Sequence, residues 1–458
     1  MKPLIAAAVF GVLMMFASLN VKEKRNLSNF ANILFLILLG INIWEFVEVY
    51  KHGASIEAFK GMIIYSPLSV WFNTLIVALS LFYSLYNARG IERVGVHVGE
   101  YYSLIFFMLV GAHLLSVYNH VLILFLGIEI ISIPQYILAG ADKRNLKSSE
   151  ASLKYFLMGA FSTGITLMGL TLLFGGTGTF ELNAMDFSEW NYMMLTGVIF
   201  LLISFGFKVS AAPMHIWTPD VYDGAPTAFA GFMATVVKAS IFMAFVNIFI
   251  HFYELKDVWQ ALIAIVIVLT LLIGNITAVY QQSVKRMLAY SSIAQSGFML
   301  FAVYASDAIA VKGIVLYAIA YTLATLMLFG VLSHMKDQTY DGFNGLSKKE
   351  PFVAFALTIA LLSLTGIPLT AGFFAKFYML QAAFNTGIDY TLYLVLFALL
   401  MSTVSVYYYF RLIWAMYFKI GNPILNFEIS KAQKAILALG LVLIIVVGIY
   451  PDVLFFFL

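Results

Sequence analysis

Long apolar runs follow one another along nearly the whole chain, and only short polar stretches separate them. A helix that spans a bilayer needs about 20 mostly apolar residues. On that rule the sequence predicts fourteen spanning helices, called spans 1–14, near residues 3–20, 30–50, 63–86, 101–118, 120–140, 151–174, 193–217, 227–250, 258–280, 287–305, 310–334, 351–384, 390–418 and 433–457. This pattern predicts an all-α polytopic membrane protein.

The composition favours a single integral membrane domain over residues 1–458. Hydrophobic residues make up 62% of the chain and charged residues 11%, whereas a soluble domain has about 25% charged residues. The net charge of +3 is too small for a nucleic-acid-binding surface. The absence of cysteine excludes disulfides and cysteine-ligated iron–sulfur or zinc sites. No small-residue cleavage pattern follows the first apolar run, which is therefore interpreted as a spanning helix.

The basic residues of the loops predict the orientation of the chain. Cytoplasmic loops of membrane proteins carry an excess of Lys and Arg. One set of alternate loops holds sixteen basic residues, and the set that includes the N-terminus holds five. We therefore expect the first set to face the cytoplasm, in a bacterial or archaeal-type cytoplasmic (inner) membrane. Both termini then lie on the outer side, because an even number of spans places them together.

Six ionisable residues remain inside the apolar runs: Glu129, Lys154, Lys208, Lys238, Lys376 and Arg411. Glu129 and Lys238 are near the middle of their spans, and Lys208 is slightly beyond the middle. Such residues are costly in hydrocarbon and usually mark a functional path. Burial disfavours the charged form of any ionisable group, so lysines with waters between them could pass protons along a line. The competing interpretation is a structural ion pair that only fixes helix packing.

Two spans contain residues that interrupt a helix. Span 7 has Pro213 shortly after Lys208. Span 12 would be about 50 Å long as a straight helix, against a hydrocarbon core of about 30 Å, and Gly366, Pro368 and Gly372 offer a place to break it. Two broken helices in the two halves of a membrane protein indicate an inverted repeat with ion sites at the breaks. Freed carbonyl groups there could hold water and cations.

Other polar residues near the spans give weaker signals. Lys154 lies near a span end and could extend to the lipid headgroups, and Arg411 fits an anchor or a fixed counter-charge. His215 could extend a proton path, although a single histidine at a helix end is as often a packing residue. Asp220 and Asp223 are expected in the loop that joins span 7 to span 8. No GxxxxGK[ST] motif is present, so no ATP site is predicted.

Four stretches resemble the antiporter-like membrane subunits of respiratory complex I. They are residues 127–130, 208–227, 285–294 and 364–373, of which the second is long enough to be specific. Within that family the chain is most similar to the subunit N group of NADH:quinone oxidoreductases. It lacks a long C-terminal extension, and it has Lys376 where another member of the family carries glutamate.

The resemblance implies an architecture. Spans 1–3 would occupy residues 1–100, two inverted five-helix repeats would occupy 101–250 and 258–418, and span 14 would occupy 433–457. Helices 7 and 12 would be the broken ones. The family also implies no redox cofactor in this subunit, since NADH, FMN, iron–sulfur clusters and quinone are expected in partner subunits.

The resemblance also implies roles for the charged residues. Glu129 and Lys208 would form the coupling ion pair, Lys238 would be the central proton relay, and Lys376 would be the relay of the second half. Lys154 resembles a lysine of the family on helix 6, which strengthens a functional role for it.

The predicted function is therefore that of a proton-translocating membrane subunit of a NADH:quinone oxidoreductase. Its partners would be other membrane subunits of complex I, the lipid bilayer and protons, and no nucleic acid. An alternative is a subunit of a multi-subunit Na+/H+ antiporter or of a membrane-bound hydrogenase, which share the fold. A self-contained solute transporter is a third hypothesis, which the line of charges disfavours because it does not outline one substrate pocket.

Overall fold

The computed structural model describes residues 1–53, 55–95 and 97–455. A two-stranded antiparallel hairpin, β1 (Ile56–Ala58) and β2 (Ile63–Tyr65), joins the second helix to the third. The helices of the described residues are α1 (Lys2–Asn20), α2 (Lys24–His52), α3 (Pro67–Val94), α4 (Val98–Val117), α5 (Val121–Ala139), α6 (Leu146–Thr177), α7 (Tyr192–Lys208), α8 (Trp217–Gly224), α9 (Thr227–Phe232), α10 (Lys238–His251), α11 (Lys256–Tyr280), α12 (Val284–Ala305), α13 (Ala308–His334), α14 (Leu346–Lys349), α15 (Pro351–Thr365), α16 (Ala371–Phe384), α17 (Thr391–Phe418) and α18 (Lys431–Ile449).

These helices provide the fourteen membrane crossings that the sequence predicts. Within the described ranges, twelve stretches are long and apolar enough to cross a bilayer. One of them is span 8, Thr227–His251, in which a π-helical turn at Met233–Val237 joins α9 to α10. The other two crossings are divided, span 7 into α7 and α8 and span 12 into α15 and α16. The prediction of broken helices 7 and 12 is confirmed.

Several predicted helix ends differ from the structure by a few residues, among them the end of span 3 at Val94 and the starts of spans 2 and 6 at Lys24 and Leu146, and for two ends the local cause is clear. Span 3 begins at Pro67 rather than at residue 63, because residues 63–65 pair with the other strand of the hairpin. The Ser66 side chain caps α3, and proline fits the first turn because the N–H that it lacks has no helical partner there. Span 14 ends at Ile449, since the residue before Pro451 disfavours helical geometry. The predicted helical positions 456 and 457 lie outside the described residues.

The interior of the molecule is formed by α12, α13 and span 8. In their apolar windows, 94% of the residues of α12, 100% of those of α13 and 89% of those of span 8 are buried. The corresponding share is between 22% and 33% in α1, α6, α17 and α18, so each of these helices turns a broad apolar face outward. Charged residues on the central helices are therefore shielded from lipid by other helices.

Spans 4–8 and spans 9–13 have the same order of elements. Each group has three continuous helices, then a broken helix, then a further continuous helix. Because five crossings are an odd number, the second group starts on the opposite side of the membrane and is inverted relative to the first. The two broken helices, and the lysines beside their breaks, therefore occupy corresponding positions in opposite orientations.

Candidate functional site: a line of buried lysines

The break in span 7 starts directly after a buried lysine. Helix α7 ends at Lys208, and residues 209–216 form turns before α8 begins. Pro213 therefore lies in the turns of the break, after a cis peptide bond. The expectation that it lies inside a helix and interrupts it is wrong. The carbonyl of Phe207 accepts hydrogen bonds from the Ser210 N–H at 3.1 Å and from the Trp217 indole at 3.1 Å. These groups of the protein occupy a carbonyl that we expected to be free for water or a cation.

The structure brings Lys208 and Glu129 together. The Lys208 Nζ lies 4.0 Å from a Glu129 carboxylate oxygen and donates a hydrogen bond of 2.8 Å to the Ser132 hydroxyl. The Thr163 hydroxyl donates to the same carboxylate oxygen at 2.8 Å. Only 4% of the Lys208 side chain is exposed, against 21% for Glu129. Each charged group has a polar partner besides the other, so the pair can separate without leaving either group unsatisfied.

Lys238 lies where the π-helical turn of span 8 ends and α10 begins. Its Nζ donates to the Ser292 hydroxyl at 2.6 Å, to the Ser292 carbonyl at 3.1 Å and to the Ser296 hydroxyl at 3.0 Å. These acceptors are all uncharged and belong to α12. A serine hydroxyl can donate or accept a hydrogen bond, so the cluster can bind this lysine either as an ammonium or as a neutral amine.

Lys376 occupies the break in span 12. Helix α15 ends at Thr365, and Lys376 on α16 reaches back to donate to the carbonyls of Leu364 at 2.9 Å and Thr365 at 3.0 Å. The ammonium thus binds the last carbonyls of a helix, where the helix dipole is negative. Its Nζ also lies 4.3 Å from the centre of the Phe298 ring. The carbonyls freed by this break are bound by the lysine itself.

Helix α12 connects the two breaks to Lys238. The Ser296 hydroxyl, which accepts from Lys238, donates to the Val209 carbonyl in the break of span 7 at 2.7 Å. The Gln295 side-chain amide donates to the Leu364 carbonyl at 2.9 Å, the same carbonyl that Lys376 binds. A single buried helix therefore contacts the surroundings of all three lysines.

The polar face of α12, which includes Ser292, Gln295 and Ser296, was not predicted from the sequence. The stretch that resembles the family includes Ser292 but ends before Gln295 and Ser296. A usable signal was present, because polar residues recur three and four positions apart within an apolar span and so lie on one face of a helix. A cavity of about 10 Å³ beside Gln295 and Lys376 has room for about one water molecule.

Lys154 does not join the buried lysines. Helix α6 begins at Leu146, so Lys154 is two turns inside it, and its side chain is 44% exposed. Its ammonium lies 2.8 Å from Glu150 and 3.0 Å from Asp220, which also pairs with Arg286 at 3.0 Å. Lys154 thus has carboxylate partners close to the surface.

The structure also places the remaining polar residues predicted from the sequence, which are Asp220, Asp223, His215 and Arg411. Asp220 and Asp223 lie on the short helix α8, and the expectation that they belong to a loop is wrong. His215 is half-buried in the turns between α7 and α8, so it lies within the break but takes no part in the hydrogen bonds described for the lysines. The Arg411 guanidinium donates to the Gln281 carbonyl and to the Gln282 side chain, which fits an anchor between α17 and the α11–α12 connection.

Comparison with known proteins gives consistent matches over the whole chain. Residues 118–427 match the family described as NADH:quinone oxidoreductase/Mrp antiporter, transmembrane. The NADH-quinone oxidoreductase subunit N of Cytophaga hutchinsonii is 36% identical, over 99% of this chain and 98% of that protein. The protein of the same name from Trichlorobacter lovleyi is 34% identical, over 99% and 94%.

Solved structures show the same relationship. A chain of respiratory complex I from Thermus thermophilus superposes with a TM-score of 0.85 at 30% identity, covering 99% of this chain and 98% of that one. A chain of an archaeal membrane-bound sulfane sulfur reductase superposes with a TM-score of 0.87 at 27% identity, over 99% and 94%. The chain therefore belongs to the NADH:quinone oxidoreductase/Mrp antiporter membrane family and, within it, to the NADH-quinone oxidoreductase subunit N proteins.

Proposed function

We propose that this chain is a proton-translocating membrane subunit of a NADH:quinone oxidoreductase. Quinone reduction in other subunits would be coupled to proton transfer along Glu129, Lys208, Lys238 and Lys376. The observation that carries the proposal is the contact of one buried helix, α12, with the surroundings of all three lysines. Relatives named as subunit N over nearly the full length of the chain support the same function.

Proton transfer through this line can start at the ion pair. The Lys208 Nζ is 4.0 Å from Glu129 and already donates to Ser132, so the pair is at the limit of contact and can open. When Glu129 moves away or is protonated, Lys208 loses the negative charge that stabilises its ammonium. Release of its proton towards the centre then becomes more favourable.

The hydroxyl groups beside Lys238 can pass this change onward. Ser296 is hydrogen-bonded both to Lys238 and to the Val209 carbonyl, which belongs to the residue after Lys208. A rearrangement of the break therefore changes the hydrogen bonding of Lys238. On the other side, Gln295 and Lys376 share one carbonyl, so the second break responds to the same helix.

The chain is a multi-pass membrane protein, and we propose its orientation and its cofactor content. Both termini would lie on the outer side of a cytoplasmic membrane, which the count of sixteen against five basic loop residues supports. Electron transfer through FMN and iron–sulfur clusters would take place in partner subunits. The absence of cysteine ligands in this chain supports that division.

The ion pair provides the direct test of the function. In the assembled complex, Glu129→Ala and Lys208→Ala should each lower NADH-driven proton pumping and quinone reduction together. A positioned proton-transfer group contributes about 100-fold or more to a rate, so we expect each loss to exceed about tenfold. Pumping is followed with a pH-sensitive dye in membrane vesicles, and Lys22→Ala, at an exposed loop residue, is the control. Unchanged pumping and quinone reduction in both variants would show the role of the pair to be wrong.

Sodium transport separates the proposal from the antiporter alternative. The matched family includes Mrp antiporters, so the fold alone does not choose between them. We expect the intact complex to acidify one side of the membrane only when NADH is oxidised, with or without sodium. Sodium–proton exchange by the complex in the absence of NADH would favour the antiporter instead.

A further inference from the structure

Lys285 is a buried charge that the proposed proton path does not use. It is the second residue of α12 and is 6% exposed, although its sequence position places it in a basic loop. Its Nζ donates to the carbonyls of Asp223 at 2.9 Å and Ala225 at 2.7 Å. These carbonyls stand at the C-terminal end of α8, where a helix leaves acceptors unsatisfied and its dipole is negative.

The end of α8 forms one wall of a polar cavity. The cavity has a volume of about 380 Å³ and is lined among others by Arg93, Lys147, Thr227, Lys285 and the turn 223–225. It lies on the side of the molecule that carries most of the basic loop residues. Its size allows several water molecules to enter.

The opposite side of the same turn faces the Lys238 cluster. Tyr222, which precedes Asp223, is 1% exposed, and its hydroxyl lies close to the Ser292 side chain. Ser292 is the serine that binds the Lys238 ammonium. One turn of α8 thus separates the cavity from the central lysine.

This turn is also packed tightly from behind. A Cβ added at Gly224 would lie 2.4 Å from the Lys147 carbonyl and 2.8 Å from the Ala151 side chain, both on α6. The turn is therefore held between α6 on one side and the Lys285 ammonium on the other. Of these two contacts, only the ammonium can be removed by a substitution that leaves the backbone packing in place.

We propose that Lys285 is a positioning residue that holds the last turn of α8 as a wall between the polar cavity and Lys238. The inference rests on the proposed function, in which Lys238 carries protons. Without the ammonium, two buried carbonyls lose a donor and must find water instead. The turn then shifts towards the cavity, and water reaches Ser292 and Lys238 without control by the ion pair.

Cysteine reactivity tests the wall directly, because the natural chain contains no cysteine. Maleimides react with the thiolate, which forms where water reaches the sulfur. In the assembled complex, we expect Thr227→Cys in the cavity to react readily and Ser292→Cys behind the wall to react slowly. Adding Lys285→Met should raise the reactivity of Ser292→Cys by about tenfold or more, as read from the mass of the labelled subunit.

Two further variants control this experiment. Lys285→Arg keeps a cationic donor and should leave Ser292→Cys protected. Lys147→Met removes an exposed ammonium 3.9 Å from the Asp223 carboxylate but leaves both carbonyl contacts of Lys285 in place, so it should also leave Ser292→Cys protected. Equal reactivity of Ser292→Cys with and without Lys285 would overturn the proposal. Because the labelling does not depend on pumping, this result is independent of the test of the proposed function.

The coupling of proton pumping to NADH oxidation provides the second measurement. With Ser292 intact, Lys285→Met should lower the number of protons pumped per NADH oxidised, while Lys285→Arg restores the ratio. A residue that only supported folding would lower the amount of complex in the membrane and leave this ratio unchanged. An unchanged ratio in Lys285→Met complexes that do assemble would therefore contradict the proposal.

Discussion

At the scale of single residues, the neighbours of each lysine matter as much as the lysine itself. Lys238 donates to two serine hydroxyls and a carbonyl, whereas the two shorter hydrogen bonds of Lys376 go to helix-end carbonyls and the Ser402 hydroxyl is 3.5 Å away. Hydroxyl groups can reverse their hydrogen bonds and carbonyls cannot. The hydrogen bonds of Lys238 to hydroxyl groups can therefore rearrange more freely than the two that Lys376 donates to carbonyls.

The serine beside Lys238 gives a prediction at this scale. Ser292→Ala removes a hydrogen bond to a charged group, worth about 1.5–3 kcal/mol, and we expect proton pumping to slow by about tenfold. The control is Ser240→Ala, because Ser240 is also buried near Lys238 but its hydroxyl donates to the Val236 carbonyl of its own helix. The measurement is the rate of proton pumping in membrane vesicles. Equal rates in Ser292→Ala and Ser240→Ala would contradict a role for Ser292.

At the scale of elements, the two breaks are built differently. In span 7 the chain makes eight residues of turns between α7 and α8, and an indole from α8 and a hydroxyl from α12 bind the carbonyls freed by the break. In span 12 the break is five residues long, and Lys376 binds the freed carbonyls together with the side chains of Gln295 and Ser402. Side chains of neighbouring elements therefore bind the carbonyls of both breaks, and in the second break one of the donors is a lysine.

Gly366 allows the second break to form. It has φ of 88°, and an added Cβ would lie 3.0 Å from the Lys376 Cδ. Gly366→Ala should therefore strain the backbone by about 1–2 kcal/mol, displace the ammonium and reduce pumping. Gly387→Ala is the matched control, since its φ of 71° imposes similar strain but open space surrounds its Cβ. Thermal unfolding of the purified complex should respond to both substitutions and pumping only to the first; a loss of pumping in both would point to strain alone.

At the scale of the whole molecule, the charges lie on the most buried helices. Span 8, α12 and α13 are enclosed by helices whose outer faces are apolar, so the Lys238 ammonium is far from lipid although it lies in the middle of a span. The inverted arrangement of the two halves places one broken helix on each side of α12. The proposed proton path between the breaks would therefore run along the membrane plane through the protein interior.

The orientation of the molecule is open to a direct experiment. Because the chain lacks cysteine, single cysteines report accessibility without background from this subunit. His52→Cys, at the end of α2, should react with an impermeant maleimide in intact cells, since its loop has few basic neighbours. Lys22→Cys, between α1 and α2, should react only after the membrane is opened. The reverse pattern would place both termini in the cytoplasm.

The sequence by itself determined the number of spans, the two broken helices and the burial of Lys208, Lys238 and Lys376. These depend on local properties, because about 20 apolar residues suffice for a crossing, and a charge or a proline within them is visible in the chain order. The Glu129–Lys208 pair was expected from motifs shared with a family. The structure adds the 4.0 Å separation of the two charged groups and the hydroxyl group that is hydrogen-bonded to each of them.

Only the tertiary structure decided which residues surround each charge. Lys285 was expected in a basic loop and is buried, whereas Lys154 was expected inside a span and has exposed carboxylate partners. Ser296 and Gln295 gain their importance from carbonyls that lie 87 and 69 positions away in the chain. Burial and hydrogen-bond partners depend on how helices distant in sequence pack together, and no local pattern of residues contains that information.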